Sequence, residues 1–191
     1  MEIEYLERFK KLCKPKKGQK EIDATMHRFK ARHGMCREYS FAIPTAEAIR
    51  EVAKLSPLIE IGAGSGYWAS LLEKSGATVE AFDKFPKENK YKFTKTYTNI
   101  KTADEKILKD FPENYNLFLC WPNYDNDFAY KALSLFKGDK LAYIGEGEGG
   151  CTGNDQFHDL LKHDWEEIKS INIPQWDGIH DRLTIYQRKT K

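Results

Sequence analysis

Residues 60–66 read Glu60-Ile61-Gly62-Ala63-Gly64-Ser65-Gly66 and directly follow the apolar pair Leu58-Ile59. This pattern is typical of a buried strand that runs into a glycine-rich turn and then into a helix. In α/β sheets, such a turn presents backbone N–H groups and a helix N-terminus to a nucleotide-like ligand. Asp83 ends the next apolar run, about 20 residues further on, where a carboxylate can bind ribose hydroxyls. The sequence therefore predicts a site for a cofactor that contains a nucleoside.

The spacing of the glycines separates two classes of cofactor. The dinucleotide fingerprint G-x-G-x-x-G needs a third glycine for close packing of helix on strand, and the bulky Tyr67 stands at that position here. This disfavours an NAD-linked oxidoreductase. The observed order, acidic-x-Gly-x-Gly-x-Gly, resembles the first motif of the class I S-adenosylmethionine (SAM)-dependent methyltransferases, whose second strand also ends in an acidic residue. The alternative is a glycine-rich turn that binds no ligand.

The resemblance implies a set of cofactor contacts. Gly62, Ala63 and Gly64 would let the backbone approach the methionine end of SAM. Asp83 would bind the ribose, and Glu60 would be an orienting carboxylate within the strand. SAM is therefore the cofactor that the sequence favours.

Three further cofactor contacts follow from the same resemblance. Asp104, after the third strand, would bind the adenine amino group, although capping of the short helix that follows is an equally weighted alternative. Cys120 ends the fourth strand and would lie beside the cofactor. Tyr39 lies before the first strand, where a lid contact to SAM is expected.

The fourth strand is followed by Trp121-Pro122-Asn123-Tyr124. This resembles the Asp/Asn-Pro-Pro-aromatic motif of methyltransferases that act on exocyclic or amide nitrogens, with Trp121 at the Asp/Asn position and Asn123 in place of the second proline. An indole donates a hydrogen bond but cannot accept one, so Asn123 is the candidate acceptor for the target amine. Tyr124 keeps the aromatic platform, and Pro122 completes the predicted catalytic group. The alternative is a Pro-Asn turn with Trp121 as packing.

Four side chains are candidates for contact with the methyl acceptor. Trp121 is the first of them. Glu146 lies in the glycine-rich segment after the fifth strand, and Trp176 and His180 lie in the connection before the last strand. For that connection, a loop stabilised by local Asp and Gly turns is the competing interpretation.

The order of apolar runs and breakers predicts an α/β fold. Strands are expected at residues 58–62, 78–83, 96–100, 115–120, 140–145, 165–173 and 182–188, and helices at residues 2–12, 22–32, 45–55, 67–75, 104–109, 127–136 and 155–163. This alternation predicts a doubly wound, mainly parallel, seven-stranded sheet. The last two strands have no helix between them, so they are expected to form an antiparallel C-terminal hairpin.

The chain has 191 residues, of which 40% are hydrophobic, a size and composition that fit one globular domain with a sizeable core. We expect residues 1–38 to form a helical N-terminal extension and residues 39–191 the methyltransferase-like domain. The four cysteines are scattered without a C-x-x-C pair, and the histidines lack ligand spacing, so no metal is assigned. With no signal-like or membrane-spanning segment, a cytoplasmic location and no membrane partner are the default.

Two lysine-rich segments, residues 10–20 and 84–95, could contact nucleic acid, the second with aromatic residues interleaved. The commoner interpretation of such runs is solvated surface. The sequence therefore favours a SAM-dependent methyltransferase acting on a nitrogen of a nucleobase or another planar amine. The alternatives are a small-molecule methyltransferase, and a non-catalytic SAM-binding or partner-binding module with the same fold.

Overall fold

The computed structural model describes residues 2–14, 18, 20–86 and 91–190, and its centre is a seven-stranded sheet in the order β3-β2-β1-β4-β5-β7-β6. Numbered along the chain, the strands are β1 Leu58–Ile61, β2 Val79–Asp83, β3 Lys101–Thr102, β4 Asn116–Cys120, β5 Lys140–Gly145, β6 Trp165–Asn172 and β7 Arg182–Arg188. Strands β1 to β5 pair in parallel, whereas β7 is antiparallel to both β5 and β6. The predicted parallel sheet with an antiparallel C-terminal hairpin is confirmed.

The helices lie between the strands as the alternation predicts. They are α1 Glu4–Cys13, α2 Glu21–Glu38, α3 Ala46–Ala53, α4 Tyr67–Lys74, α5 Phe128–Leu135 and α6 Asp155–Asp164, with a 3-10 helix at Glu105–Lys109. Two of them begin at side-chain caps, because the Thr45 hydroxyl accepts from the Ala48 N–H (3.1 Å) and Asn154 Oδ1 accepts from the Phe157 N–H (3.1 Å).

The order of the strands determines where a ligand can bind. The chain runs from β1 outward to β2 and β3 and then returns to the other side of β1, where β4 pairs with it. Adjacent loops therefore leave the sheet in opposite directions between β1 and β4, which opens a crevice at the carboxyl ends of these strands. The glycine-rich turn after β1 lies at this crevice.

Two element boundaries differ from the sequence prediction. The prediction of a strand at residues 96–100 is wrong, since the third strand lies at Lys101–Thr102. The preceding segment is held on the glycine turn, where the Tyr97 N–H donates to the Ser65 carbonyl (3.0 Å), and on α4, where the Thr98 hydroxyl donates to Glu73 (2.8 Å). Gly34 does not end α2, which continues to Glu38. Burial of Met35 and Cys36 in the core favours continuation of the helix past the glycine.

The N-terminal helices share the main core. Ile3 and Tyr5 belong to the same apolar cluster as Leu58 and Trp68. Tyr5 stacks on Tyr39 with ring centroids 4.8 Å apart. Helices α1 and α2 therefore pack on the same core as β1 and α4.

Neither a membrane-spanning helix nor a metal cluster occurs among the residues that the structure describes. None of the described helices is long and apolar enough to cross a bilayer. No three His, Cys, Asp or Glu side chains in the described ranges come together in a way that could hold a metal ion.

Candidate functional site

A cavity of ≈ 750 Å³ lies at the carboxyl ends of the parallel strands. Its walls come from the glycine turn after β1, the segments after β2, β3 and β4, and the start of α5. Ten residues of the predicted site line it: Glu60, Gly62, Ala63, Gly64, Asp83, Asp104, Cys120, Trp121, Pro122 and Asn123. The cavity is within the size range of sites for small molecules and cofactors, about 300–1,000 Å³.

The glycine turn is tied to the end of β2 through Asp83. The Gly64 N–H donates to Asp83 Oδ2 (2.9 Å), and the Phe85 N–H donates to Asp83 Oδ1 (2.8 Å). A carboxylate has about four lone-pair sites, so both oxygens can still accept from a ligand. Gly64 has φ +58°, and a Cβ there would lie 2.8 Å from the Phe93 ring, so the turn needs glycine at this position.

Glu60 lies in the cavity wall, and one of its buried carboxyl oxygens has no hydrogen-bond partner among the described residues. The residue is 2% exposed, and its Oε2 has no hydrogen-bond partner. Burial, with a smaller contribution from the charge of Asp83, raises the pKa of Glu60 well above its usual value. Buried polar atoms normally have a partner. Glu60 therefore places a buried, unsatisfied oxygen at this end of the cavity.

Asp104 caps the 3-10 helix and also lines the cavity. In the cap, its Oδ1 accepts from the Lys106 N–H (3.1 Å). Cys120 lies on the opposite wall, where burial raises the pKa of its thiol well above the usual value. At neutral pH this wall therefore presents a neutral thiol.

Four aromatic residues form one end of the cavity. Phe41 stacks on Trp121 with ring centroids 5.2 Å apart and an interplanar angle of 20°. Tyr91 and Phe93 pack edge-on against Phe41 at 5.0 Å and 6.4 Å. We call these four residues the aromatic end. It presents ring surfaces to a planar group.

Trp121 is held rigidly in the aromatic end. It is one of two non-glycine residues in the described chain with positive φ, +54°. Its backbone N–H donates to the Ile144 carbonyl (2.7 Å), and its indole N–H donates to Asp181 Oδ2 (2.7 Å). The indole N–H is therefore already paired within the protein, and Trp121 can offer a ligand only its ring.

Asn123 lies beside the aromatic end and supplies a polar side chain there. Its Oδ1 accepts from the Tyr91 hydroxyl, and its backbone bridges to Thr152. The Pro122 carbonyl accepts from the Gly153 N–H (2.9 Å), which ties the same turn to the segment after β5. An amide oxygen has two lone pairs, so Asn123 can accept from Tyr91 and from a ligand at once.

Five predicted site residues do not line the cavity. Tyr39 is fully buried and reaches the glycine turn only through its carbonyl, which accepts from the Ser65 hydroxyl. Tyr124 is 60% exposed and points outside the cavity, so the structure does not make it the aromatic platform. Trp176 is a core residue whose indole donates to the Tyr5 hydroxyl (3.1 Å). His180 is exposed and contributes a backbone N–H to Glu146, the fifth of these residues.

Glu146 is a structural carboxylate. Its Oε1 accepts from the His180 N–H (2.7 Å), and its Oε2 accepts from the Cys151 N–H (2.8 Å) and thiol (2.8 Å). Burial raises the pKa of Glu146, but the hydrogen bonds from Cys151 and His180 outweigh it and leave the pKa below its usual value. A carboxylate of lowered pKa is a poor general base. The hydrogen bonds of Glu146 instead join the loop after β5, which contains Cys151, to the loop before β7, which contains His180.

The lysine-rich segments are only partly described. Residues 15–17, 19 and 87–90 lie outside the described ranges. Of the described lysines, Lys10 pairs with Glu7 (2.9 Å) and Lys95 pairs with Glu38 (2.7 Å). Lys84 lines the cavity. Contact with nucleic acid through these segments stays a prediction.

Asp181, which lies outside the cavity and accepts from the Trp121 indole N–H, is a residue that the sequence interpretation missed. It is 2% exposed, and its Oδ1 has no partner. Burial raises the pKa of Asp181 to about 6, in spite of the hydrogen bond from Trp121. In the sequence it is one of several acidic residues in a polar connection, and no periodicity marks it as buried.

We expect Asp181 to make the stability of the protein depend on pH. Between the ordinary value of 3.8 and about 6, the folded chain keeps a proton that the unfolded chain has lost. The free energy of unfolding therefore falls as pH rises through this window. Relative to Asp181→Asn, which cannot titrate, we expect the wild type to lose about 2–3 kcal/mol between pH 4 and pH 7.

Denaturant unfolding at a series of pH values measures this difference. The exposed Asp159→Asn is the control and should follow the wild type. If the free energy of unfolding changed with pH in the same way for the wild type and Asp181→Asn, the raised pKa of Asp181 would be contradicted.

No family model and no curated protein matches the chain at the level of sequence. Similarity to solved structures is therefore similarity of fold.

Three solved structures show this similarity. Magnesium protoporphyrin IX methyltransferase from Synechocystis PCC 6803 with bound SAM is 12% identical, with TM-score 0.52 over 96% of this chain and 91% of that chain. The pyocyanin biosynthetic protein PhzM is 15% identical, with TM-score 0.50 over 74% and 54%. A Rhodobacter sphaeroides protein provisionally assigned to the zinc-dependent alcohol dehydrogenases is 12% identical, with TM-score 0.53 over 84% and 98%. The chain shares the fold of these structures, a doubly wound sheet whose β7 is antiparallel.

Proposed function

We propose that this protein is a SAM-dependent methyltransferase. The observation that carries the proposal is the carboxyl edge of β1 and β2, where the glycine turn, Asp83 and the unpartnered Glu60 oxygen line one cavity. A doubly wound sheet binds its cofactor at this edge, and the antiparallel β7 is the mark of the methyltransferase variant of that sheet.

The residues present fit SAM. Asp83 would accept from the ribose hydroxyls while it holds the Gly64 N–H. Glu60 Oε2 would accept from a polar N–H of the cofactor, which would satisfy a buried oxygen that otherwise has no partner. Asp104 would bind the adenine amino group through the lone pairs that the helix cap leaves free.

The methyl acceptor that fits the aromatic end is a nitrogen of a planar group, such as a nucleobase or another planar amine. Phe41, Trp121 and Phe93 supply ring surfaces, and Asn123 Oδ1 supplies an acceptor for the target N–H. The carboxylate that contacts the aromatic end is Asp181, which is 2% exposed and accepts from the Trp121 indole N–H. A nitrogen nucleophile suits such a site because its lone pair needs little help from a general base.

The reaction needs mainly orientation. SAM supplies an electrophilic methyl group on a sulfonium sulfur, and transfer to nitrogen leaves S-adenosylhomocysteine while the nitrogen loses its proton to solvent. Asn123 would hold the N–H of the acceptor, and the rigid Trp121 ring would hold its plane. Fixing the reacting atoms in line in this way accounts for a large part of the rate enhancement that such enzymes need.

Two observations favour a second candidate, a SAM-binding module without catalysis. The first position of the amine-binding motif is Trp121, whose N–H is paired with Asp181, and Tyr124 faces solvent. A protein with this site would bind SAM and transfer no methyl group. Turnover measurements separate the two candidates.

Calorimetry with S-adenosylhomocysteine, SAM and NAD tests the cofactor. We expect S-adenosylhomocysteine and SAM to bind with micromolar dissociation constants and NAD to show no heat. Transfer of label from methyl-labelled SAM to nucleosides, short nucleic acids and aromatic amines then tests catalysis. Binding of NAD instead of SAM would refute the proposal.

A further inference from the structure

Helix α2 carries an exposed apolar stripe. Ile22, Met26 and Phe29 are 70%, 51% and 65% exposed. They are four and three residues apart, so their side chains lie side by side on one face of the helix. Single exposed apolar residues are ordinary on protein surfaces, but a contiguous apolar stripe marks an interaction surface.

Two charges flank the stripe on one side. Asp23 and Lys30 are both exposed and lie seven residues apart, two helical turns along the same flank. Neither makes an ion pair within the part of the chain that the structure describes. Both charges are therefore available to a partner that approaches the stripe.

We propose that this stripe is the contact surface for a second copy of the chain, in an antiparallel α2–α2 pair. A twofold axis near residues 26 and 27 keeps the same flanks of the two helices together. Asp23 of each copy then lies opposite Lys30 of the other, and this contact occurs twice.

The same twofold axis brings the apolar side chains of the two copies into contact. Phe29 of one copy falls between Ile22 and Met26 of the other, in the way that knobs enter holes in paired helices. A parallel pair would bring opposite flanks together and leave both charges without a partner. The charge pattern is thus complementary to itself in an antiparallel pair and not in a parallel one.

The contact is small, since it involves one helix from each copy. Interfaces at the low end of the size range give weak association, so we expect a dissociation constant in the micromolar range. This inference is independent of the proposed methyl transfer, because none of these residues lines the cavity.

Sedimentation velocity over a range of micromolar concentrations tests the proposal. We expect the wild type to approach twice the chain mass of 22.2 kDa as concentration rises. Phe29→Glu should stay at the mass of one chain, because it places two carboxylates in the apolar contact. The control Ile168→Glu changes a residue of β6 that is 52% exposed, and it should associate like the wild type.

Charge exchange tests the antiparallel arrangement. Asp23→Lys and Lys30→Asp should each weaken association about tenfold, because each creates two like-charge contacts. The double variant should recover wild-type association, and an equimolar mixture of the two single variants should associate more strongly than either alone. Circular dichroism checks that each variant keeps its helices.

Several results would overturn the proposal. A wild type with the mass of one chain at every concentration would exclude the dimer. Association that Phe29→Glu leaves unchanged would place the contact on another surface. Failure of the double variant to recover would exclude the Asp23–Lys30 pairing and, with it, the antiparallel arrangement.

Discussion

Replacing Asp83 by alanine is expected to weaken the binding of S-adenosylhomocysteine about 100-fold. In the proposed site the change would remove two charge-assisted hydrogen bonds to ribose, together worth about 3 kcal/mol, and about 1.4 kcal/mol corresponds to tenfold in affinity. It also frees the Gly64 N–H that Asp83 holds at 2.9 Å, so the glycine turn loses its link to β2. Calorimetry measures the affinity, and the thermal unfolding curve should show that the fold is kept.

Asp110→Ala provides the matched control. Asp110 is exposed and does not line the cavity, so the affinity of this variant should equal that of the wild type. Asp83→Asn keeps one oxygen acceptor and should fall between wild type and alanine. An Asp83→Ala protein that binds as tightly as the wild type would refute the ribose assignment.

Asn123→Ala is expected to lower the rate of methyl transfer about 100-fold while the affinity for S-adenosylhomocysteine changes less than about twofold. The Asn123 oxygen is the proposed acceptor for the target N–H, and a target nitrogen displaced by about 1 Å loses about this much rate. The measurement is transfer of label from SAM to the acceptor that the wild type methylates, with calorimetry for the cofactor.

Two variants separate positioning of the acceptor from structural damage. Tyr91→Phe removes the hydroxyl that donates to Asn123 but leaves the amide in place, so transfer should stay within a few-fold of the wild type. Tyr124→Ala should also keep activity, because Tyr124 lies outside the cavity. If Asn123→Ala loses cofactor binding as severely as transfer, the residue is structural.

The local sequence was sufficient to predict the structure where a short run of residues determines its own conformation. The apolar pair Leu58-Ile59, the glycines that follow and the acid that ends the next strand lie within about 25 residues and form a turn whose geometry is nearly independent of the rest of the chain. The same holds for the hairpin of β6 and β7, because no helix separates these strands. The prediction of a strand at residues 96–100 was wrong, because the conformation of this segment depends on contacts with α4 that the sequence does not show.

The aromatic end depends on contacts between segments that are distant in the sequence. Phe41, Tyr91 and Trp121 are far apart in sequence and meet only because the loops after β2 and β4 close on the segment before α3. Asp181 reaches Trp121 from 60 residues further along, and burial is the main cause that raises its pKa to about 6.

The sequence by itself determined the sheet, the glycine turn and the acidic residue that would hold SAM, because these are local patterns repeated by many chains of this fold. Only the tertiary structure decided that Trp121 presents a ring with its N–H already paired, that Tyr124 faces solvent and that Glu146 joins two loops. Those outcomes depend on which side chains are buried together, and burial is a property of the packed chain.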